Sequence, residues 1–176
     1  RESYNLDEAD PRWIDELLAG ALTGTGFGDF MWNNPYRNIR NANLILDAVG
    51  QIPADQLTDA EKEAIRGFAK TIQAYDFLMV VNTRDDLGAP IDVGRSIDEP
   101  PAPIESKAAV FDHIVALLDE AQGHLNAASA EFPFALSSGF DGFATPASFI
   151  LVNRALAARV HVYRGGEGIG NPADEF

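Results

Sequence analysis

The run TDAEKEAIRGFAKTIQAYDFLMVVNTRDDLGAPI, residues 58–91, decides the fold of this chain. Its first four residues, Thr58-Asp59-Ala60-Glu61, fit a capping box, in which the threonine hydroxyl and the glutamate carboxylate satisfy free backbone amides reciprocally, so a helix starts here. Ile65, Phe68, Ala69, Ile72, Tyr75 and Met79 recur at the three-and-four spacing that stacks side chains on one face, while Lys62, Arg66, Lys70 and Gln73 take the other. From Phe77 to Val81 the polar face disappears, which predicts enclosure by neighbours on most sides. Gly88 and Pro90 then end helical geometry, the first by backbone freedom and the second by its missing amide. The expectation is a scaffold helix that runs into a core and stops at a Gly-x-Pro exit.

On the N-terminal side, Asn34-Pro35 joins a cap to a proline at the first helical position. Ile39, Ala42, Ile45, Leu46 and Val49 follow as an apolar stripe, closed by Gly50 where a helix C-cap favours glycine. Asp10-Pro11 gives the same start signal before Trp13, Ile14, Leu17, Leu18 and Ala21, which predicts a short first helix. Gly24-Thr25-Gly26-Phe27-Gly28 reads as a loop, because a phosphate-binding loop needs a preceding strand and a following lysine and has neither here.

On the C-terminal side, Pro90, Pro100, Pro101 and Pro103 predict an extended connection up to Glu105. Ser106 caps the next helix, whose apolar face is Val110, Phe111, Ile114, Leu117, Leu118, Ala121 and Leu125, and which should pack on the helix opened by Thr58. After a loop over 132–144, Thr145-Pro146 opens a last helix through Tyr163. Its polar residues Asn153, Arg154, Arg159 and Arg164 are scattered around the axis, the pattern of a helix contacted from several sides, so it is expected at the centre. No segment alternates with period two strongly enough to be a strand. The predicted fold is all-α, a single helical domain over 1–176, with helices paired as antiparallel hairpins in a tetratricopeptide-like superhelical scaffold, although that repeat's tryptophan, glycine and tyrosine spacing is not met.

The chain has 176 residues, 46% of them hydrophobic, enough for a sizeable core. Its 27 acidic and 13 basic residues give a formal charge of -14, which repels phosphate backbones and anionic lipid head groups, so no nucleic-acid partner is expected. The absence of cysteine removes disulfides, thiolate metal sites and thiol nucleophiles, and no apolar run is long enough to cross a bilayer as a helix. His113 and His124 lie three turns apart on one helix and His161 is on another, so no metal centre is expected. Asp85-Asp86 and Asp119-Glu120 are adjacent in sequence rather than opposed across a cleft, and no serine sits in a Gly-x-Ser-x-Gly elbow. Neither catalytic residues nor a cofactor are expected.

Two groups of residues stand out. Trp32, with Phe30, Asn33 and Tyr36, lies at the mouth of a helix after the glycine-rich loop, where aromatic rings could stack on the apolar face of a sugar or simply pack the start of the helix. Trp32, Asn33 and Tyr36 are therefore candidate ligand-binding residues. Asp76 falls within the apolar stripe of the Thr58 helix, where an unpaired carboxylate is costly, and its expected partner is Arg159 or Tyr163 of the last helix.

Four blocks, taken in order, give the chain a family likeness. They are Tyr36-x-x-Ile39-x-x-Ala42-Asn43; Gly67-Phe68-Ala69-Lys70-Thr71-Ile72-Gln73-Ala74 running to Gly88-Ala89-Pro90-Ile91; Val110-Phe111-Asp112-His113-Ile114 running to Leu125; and Asn153-Arg154-Ala155-Leu156-Ala157-Ala158-Arg159-Val160-His161-Val162-Tyr163. In that order they resemble the SusD/RagB family, lipoproteins that bind nutrients at the cell surface and cap SusC-like TonB-dependent outer-membrane transporters. The chain departs from the family's usual glutamate at Phe68, arginine at Gln73 and aspartate at Leu117. The resemblance implies a non-enzymatic protein that captures glycan or other oligomeric nutrients and delivers them to such a transporter. It also implies a longer parent chain, of which this would be the N-terminal half, held at the outer membrane by a lipid anchor outside this sequence. The alternative is a helical-repeat interaction scaffold with no carbohydrate ligand.

Overall fold

The computed structural model describes residues 28–84, 86–96 and 98–169. The predicted helix over 11–21 and all of the glycine-rich loop except Gly28 lie outside them. Among the described residues are four α-helices and one short 3-10 turn, without a strand: α1 (Phe30–Gln51), α2 (Asp59–Val81), α3 (Lys107–Asn126), the turn Ser138–Phe140, and α4 (Pro146–Gly166). The fold is all-α.

The start of α2 follows the sequence expectation. The Thr58 hydroxyl accepts the Glu61 amide at 3.3 Å, and the Thr58 amide donates to the Glu61 carboxylate at 2.8 Å. Ser106 likewise caps α3 through the Ala109 amide at 3.2 Å, and Thr145 and Ser148 form a capping box on α4 with Pro146 in its first turn.

The start of α1 does not follow it. The helix begins at Phe30, Pro35 lies inside it, and it runs past Gly50 to Gln51. The amides of Met31, Trp32 and Asn33 already find the carbonyls of Gly28 and Asp29, so helical bonding is under way before the Asn34-Pro35 pair is reached. Pro35 then costs one backbone hydrogen bond within the helix.

The exit of α2 also differs. The helix ends at Val81, well before Gly88. Gly88 does not take positive φ, so backbone freedom is not what requires glycine there. A Cβ on Gly88 would stand 1.8 Å from the Glu105 carbonyl oxygen and 2.6 Å from the Ser106 carbonyl carbon. Next to it the Glu105 amide donates to the Ala89 carbonyl at 3.2 Å. Glycine is needed because two stretches of backbone, the exit of α2 and the approach to α3, run side by side.

Cross-helix contacts set each helix antiparallel to the one before it. Tyr36 meets Phe77 and Gln73 reaches Asn43 between α1 and α2; Phe77 meets His113 and Lys70 pairs with Glu120 between α2 and α3. Between α3 and α4, Asp119 pairs with Arg154 and Asp112 with Arg164. The α2–α3 seam is close at Gly67, where a Cβ would come 2.5 Å from Leu125 Cγ.

The hub of the described residues is α2 and not α4. It packs against α1, α3 and α4, and its apolar end, Phe77, Leu78, Val80 and Val81, is buried with Ile39, Val110, Phe111, Ile114, Leu118 and Val160. Helix α4 lies on the outside, with Leu151 62% and Val162 57% exposed. Its scattered polar residues have a different origin. Asn153 points inward, donating to the Leu118 carbonyl at 3.1 Å and the Thr71 hydroxyl at 3.0 Å, while Arg154 and Arg164 flank α3 through ion pairs. All seven residues assigned to the inner face of α3 are buried. On α2 the two faces are less cleanly divided: Tyr75 is exposed, whereas Lys62 and Gln73 are buried, Lys62 with its ammonium 3.5 Å from Asp59 and Gln73 held by α1.

Candidate functional site

Trp32 and Tyr36 lie one turn apart on α1, with ring centroids 4.7 Å apart. The Arg84 guanidinium sits 5.0 Å from the Trp32 ring centre, and Tyr36 meets Phe77 edge-on at 6.2 Å. The Tyr36 hydroxyl donates to the Pro90 carbonyl at 2.7 Å, and burial, opposed by the Arg84 charge, pushes its pKa up to about 12. These rings thus tie α1 to the end of α2 and to the Gly-x-Pro exit. Asn33 is exposed beside them.

Asp76 has a different partner from the one expected. Its carboxylate accepts the Asn38 side-chain amide of α1 at 2.5 Å, whereas Arg159 is exposed on α4 beside Tyr75. On α2, Asp76 faces α1 while Tyr75 and Thr71 face α4, so one residue of helical rotation separates the two environments.

Burial raises the Asp76 pKa from 3.8 to about 6, with the Asn38 hydrogen bond pulling the other way. The folded state therefore holds this proton more tightly than the unfolded chain does. The resulting stability is fully present below about pH 4 and is lost as pH rises through about 6. Asp76→Asn keeps an acceptor for Asn38 and removes the charge. The variant is expected to gain on the order of 1 kcal/mol at pH 7, after allowance for solvent screening, and to lose the slope between pH 4 and 6 in urea unfolding. An unchanged slope in the variant would place that titration elsewhere.

Concavities lie on several sides of α2. Between α2 and α4, roofed by the loop around the 3-10 turn, lies a groove of about 630 Å³ lined by Ile72, Tyr75, Phe143, Phe149 and Leu151, with Arg159 at its edge. On another side, α1, α2, α3 and the connection over 91–94 enclose a cleft of about 310 Å³ with a polar lining that includes Asn43, Asp47, Lys70, Gln73 and His113. His113 meets Phe77 edge-on at 5.0 Å. Its pKa is lowered by burial, with Glu120 raising it and Lys70 lowering it further, so the imidazole is neutral at pH 7. The sequence signal for this cleft was Asn43 and Asp47 at i, i+4 together with Lys70 and Gln73 at i, i+3, each pair on the polar border of its own helix.

His124 contacts Glu63 across the α2–α3 seam, and Arg66 also holds Glu63, at 2.5 Å. Among the described residues no group of histidines and carboxylates is placed to hold a metal ion, and no helix is long and apolar enough to cross a membrane. Comparison with family models, with curated proteins and with solved structures finds no match to this chain.

Proposed function

We propose that this chain is the helical scaffold of a SusD/RagB-like nutrient-capture protein, acting by binding and docking rather than by catalysis. In this reading the parent protein sits at the outer-membrane surface on a lipid anchor and passes glycan or other oligomeric nutrients to a SusC-like TonB-dependent transporter. The four-helix layer is then part of a tetratricopeptide-like superhelix.

The observation that carries the reading is that the blocks behind the family likeness interlock. Tyr36 and Asn43 of the first block hold Pro90 and Val93 at and just past the exit of the second, at 2.7 and 3.0 Å. Asn153 of the fourth block bonds Leu118 of the third and Thr71 of the second. These polar residues therefore have a reason to occur together: each bonds a backbone or hydroxyl group of an adjoining block and ties the blocks to one another.

A second reading, a helical interaction scaffold without a carbohydrate ligand, is favoured by the apolar groove between α2 and α4, since an exposed concave apolar surface of this kind marks an interaction site. The two are separated by finding what the full-length protein is bound to in its native envelope, and a TonB-dependent barrel is the partner expected.

A further inference from the structure

Asn43, Gln73 and His113 come from three different helices and converge on the cleft closed by residues 91–94. Gln73 is 3% exposed, and its amide nitrogen is occupied by Asn43 Oδ1 at 2.5 Å and the Ile39 carbonyl at 3.4 Å. Asn43 in turn donates to the Val93 carbonyl at 3.0 Å. These bonds fix the floor rigidly. They leave the Gln73 carbonyl oxygen and both ring nitrogens of His113 with no hydrogen-bond partner among the described residues, although neither side chain is exposed. A half-buried neutral imidazole offers one donor and one acceptor.

The charges around the cleft are largely cancelled. Lys70 pairs with Glu120 at 2.6 Å, and Asp92 with Arg95 at 3.2 Å. What remains is the exposed Asp47 carboxylate at the rim, a strong acceptor that disfavours an anion, while Lys70, its charge balanced by Glu120, keeps further ammonium donors. Leu46, Ile91 and Leu117 supply an apolar wall. A volume of about 310 Å³ lies at the small end of ligand sites and suits one six-membered ring with its substituents.

We infer that this cleft binds a single neutral polyhydroxylated ring, of the size and chemistry of a pyranose unit. Its hydroxyls donate to Asp47 and the Gln73 carbonyl, accept from Lys70, and use His113 in either direction, while its C–H face lies on the apolar wall. The inference rests on the capture role proposed above for the source of such a ring, and goes beyond it in naming the place.

The test is a titration of the isotope-labelled chain with methyl glycosides of glucose, galactose, mannose, xylose and N-acetylglucosamine, followed by amide chemical shifts. The expected result is weak, saturable binding of at least one glycoside, with shifts confined to residues 43–47, 70–73, 91–94 and 113. Asp47→Ala, on an exposed position that leaves the core intact, should weaken that binding fivefold or more, and so should His113→Leu, which retains an apolar contact with Phe77. Saturable shifts centred on Trp32 or on the apolar groove would overturn the assignment while leaving nutrient capture standing. Absence of saturable shifts with every glycoside would overturn it too, and the transporter role would still be decided separately by the barrel.

Discussion

Phe77→Ala is expected to destabilise the chain by about 3–5 kcal/mol, read as a lowered urea midpoint with an unchanged denaturant slope. Phe77 is 1% exposed and sits where the polar face of α2 disappears. Its ring is touched edge-on by Tyr36 from α1 and by His113 from α3, and it shares the main cluster with Ile39, Val110 and Phe111. Truncation removes its apolar area and opens a cavity bounded by three helices, which cannot all move inward together without breaking the Tyr36–Pro90 and Gln73–Asn43 bonds. A loss below about 1 kcal/mol, well under the range for a buried aromatic, would mean that α2 is not the hub.

Gly88→Ala is expected to cost about 3 kcal/mol, at the upper end of ordinary overpacking. The atoms that a Cβ would meet at 1.8 and 2.6 Å are backbone atoms of Glu105 and Ser106, so no side chain can rotate aside. Relief requires the α2 exit to separate from the approach to α3, which strains the Glu105–Ala89 hydrogen bond and the neighbouring Tyr36–Pro90 bond. Gly94→Ala is the internal control. It lies in the same connection with nothing within 4 Å of the added carbon, and should be close to neutral. Equal effects at the two positions would show that chain entropy, and not close approach, governs this connection.

Three caps and the inner face of α3 were legible because they are local, whereas of the six residues placed on the inner face of α2 only Ala69 is buried. Thr58, Ser106 and Thr145 need only the next three residues to act as caps, and the inner face of α3 can be read from its own spacing. Properties that depend on neighbours were less legible. Pro35 looked like a helix start, but the carbonyls of Gly28 and Asp29 had already begun the helix. The four polar residues of α4 suggested a central helix, yet three of them serve α3: Asn153 from inside and Arg154 and Arg164 from its flank. The partner of Asp76 was sought on α4, and its place on the α1 side of α2 is a matter of a single helical step.

The three departures from the family pattern have local explanations in this chain. Phe68 is ringed by Phe132, Phe134, Phe140 and Phe149 at centroid distances of 5.1 to 5.9 Å, an aromatic cluster that a glutamate could not join. Gln73 bridges to Asn43 and the Ile39 carbonyl from a buried position, where an arginine would need a counter-charge. Leu117 is buried in the main cluster and walls the cleft, where an aspartate would give up that apolar contact and carry a charge into a largely buried position. Of the candidate ligand residues, Trp32 and Tyr36 make internal contacts with Arg84, Phe77 and Pro90. The His113 cleft went unread because its residues come from three helices and a connection.

The most direct test of the functional account is to cross-link the full-length protein in intact cells, extract the outer membrane with mild detergent, and identify what co-purifies. The account predicts a TonB-dependent barrel recovered in near-equal amount with the protein, and lost from the preparation when the barrel's gene is deleted. Recovery from the soluble fraction, or in association with a different protein and no barrel, would contradict it.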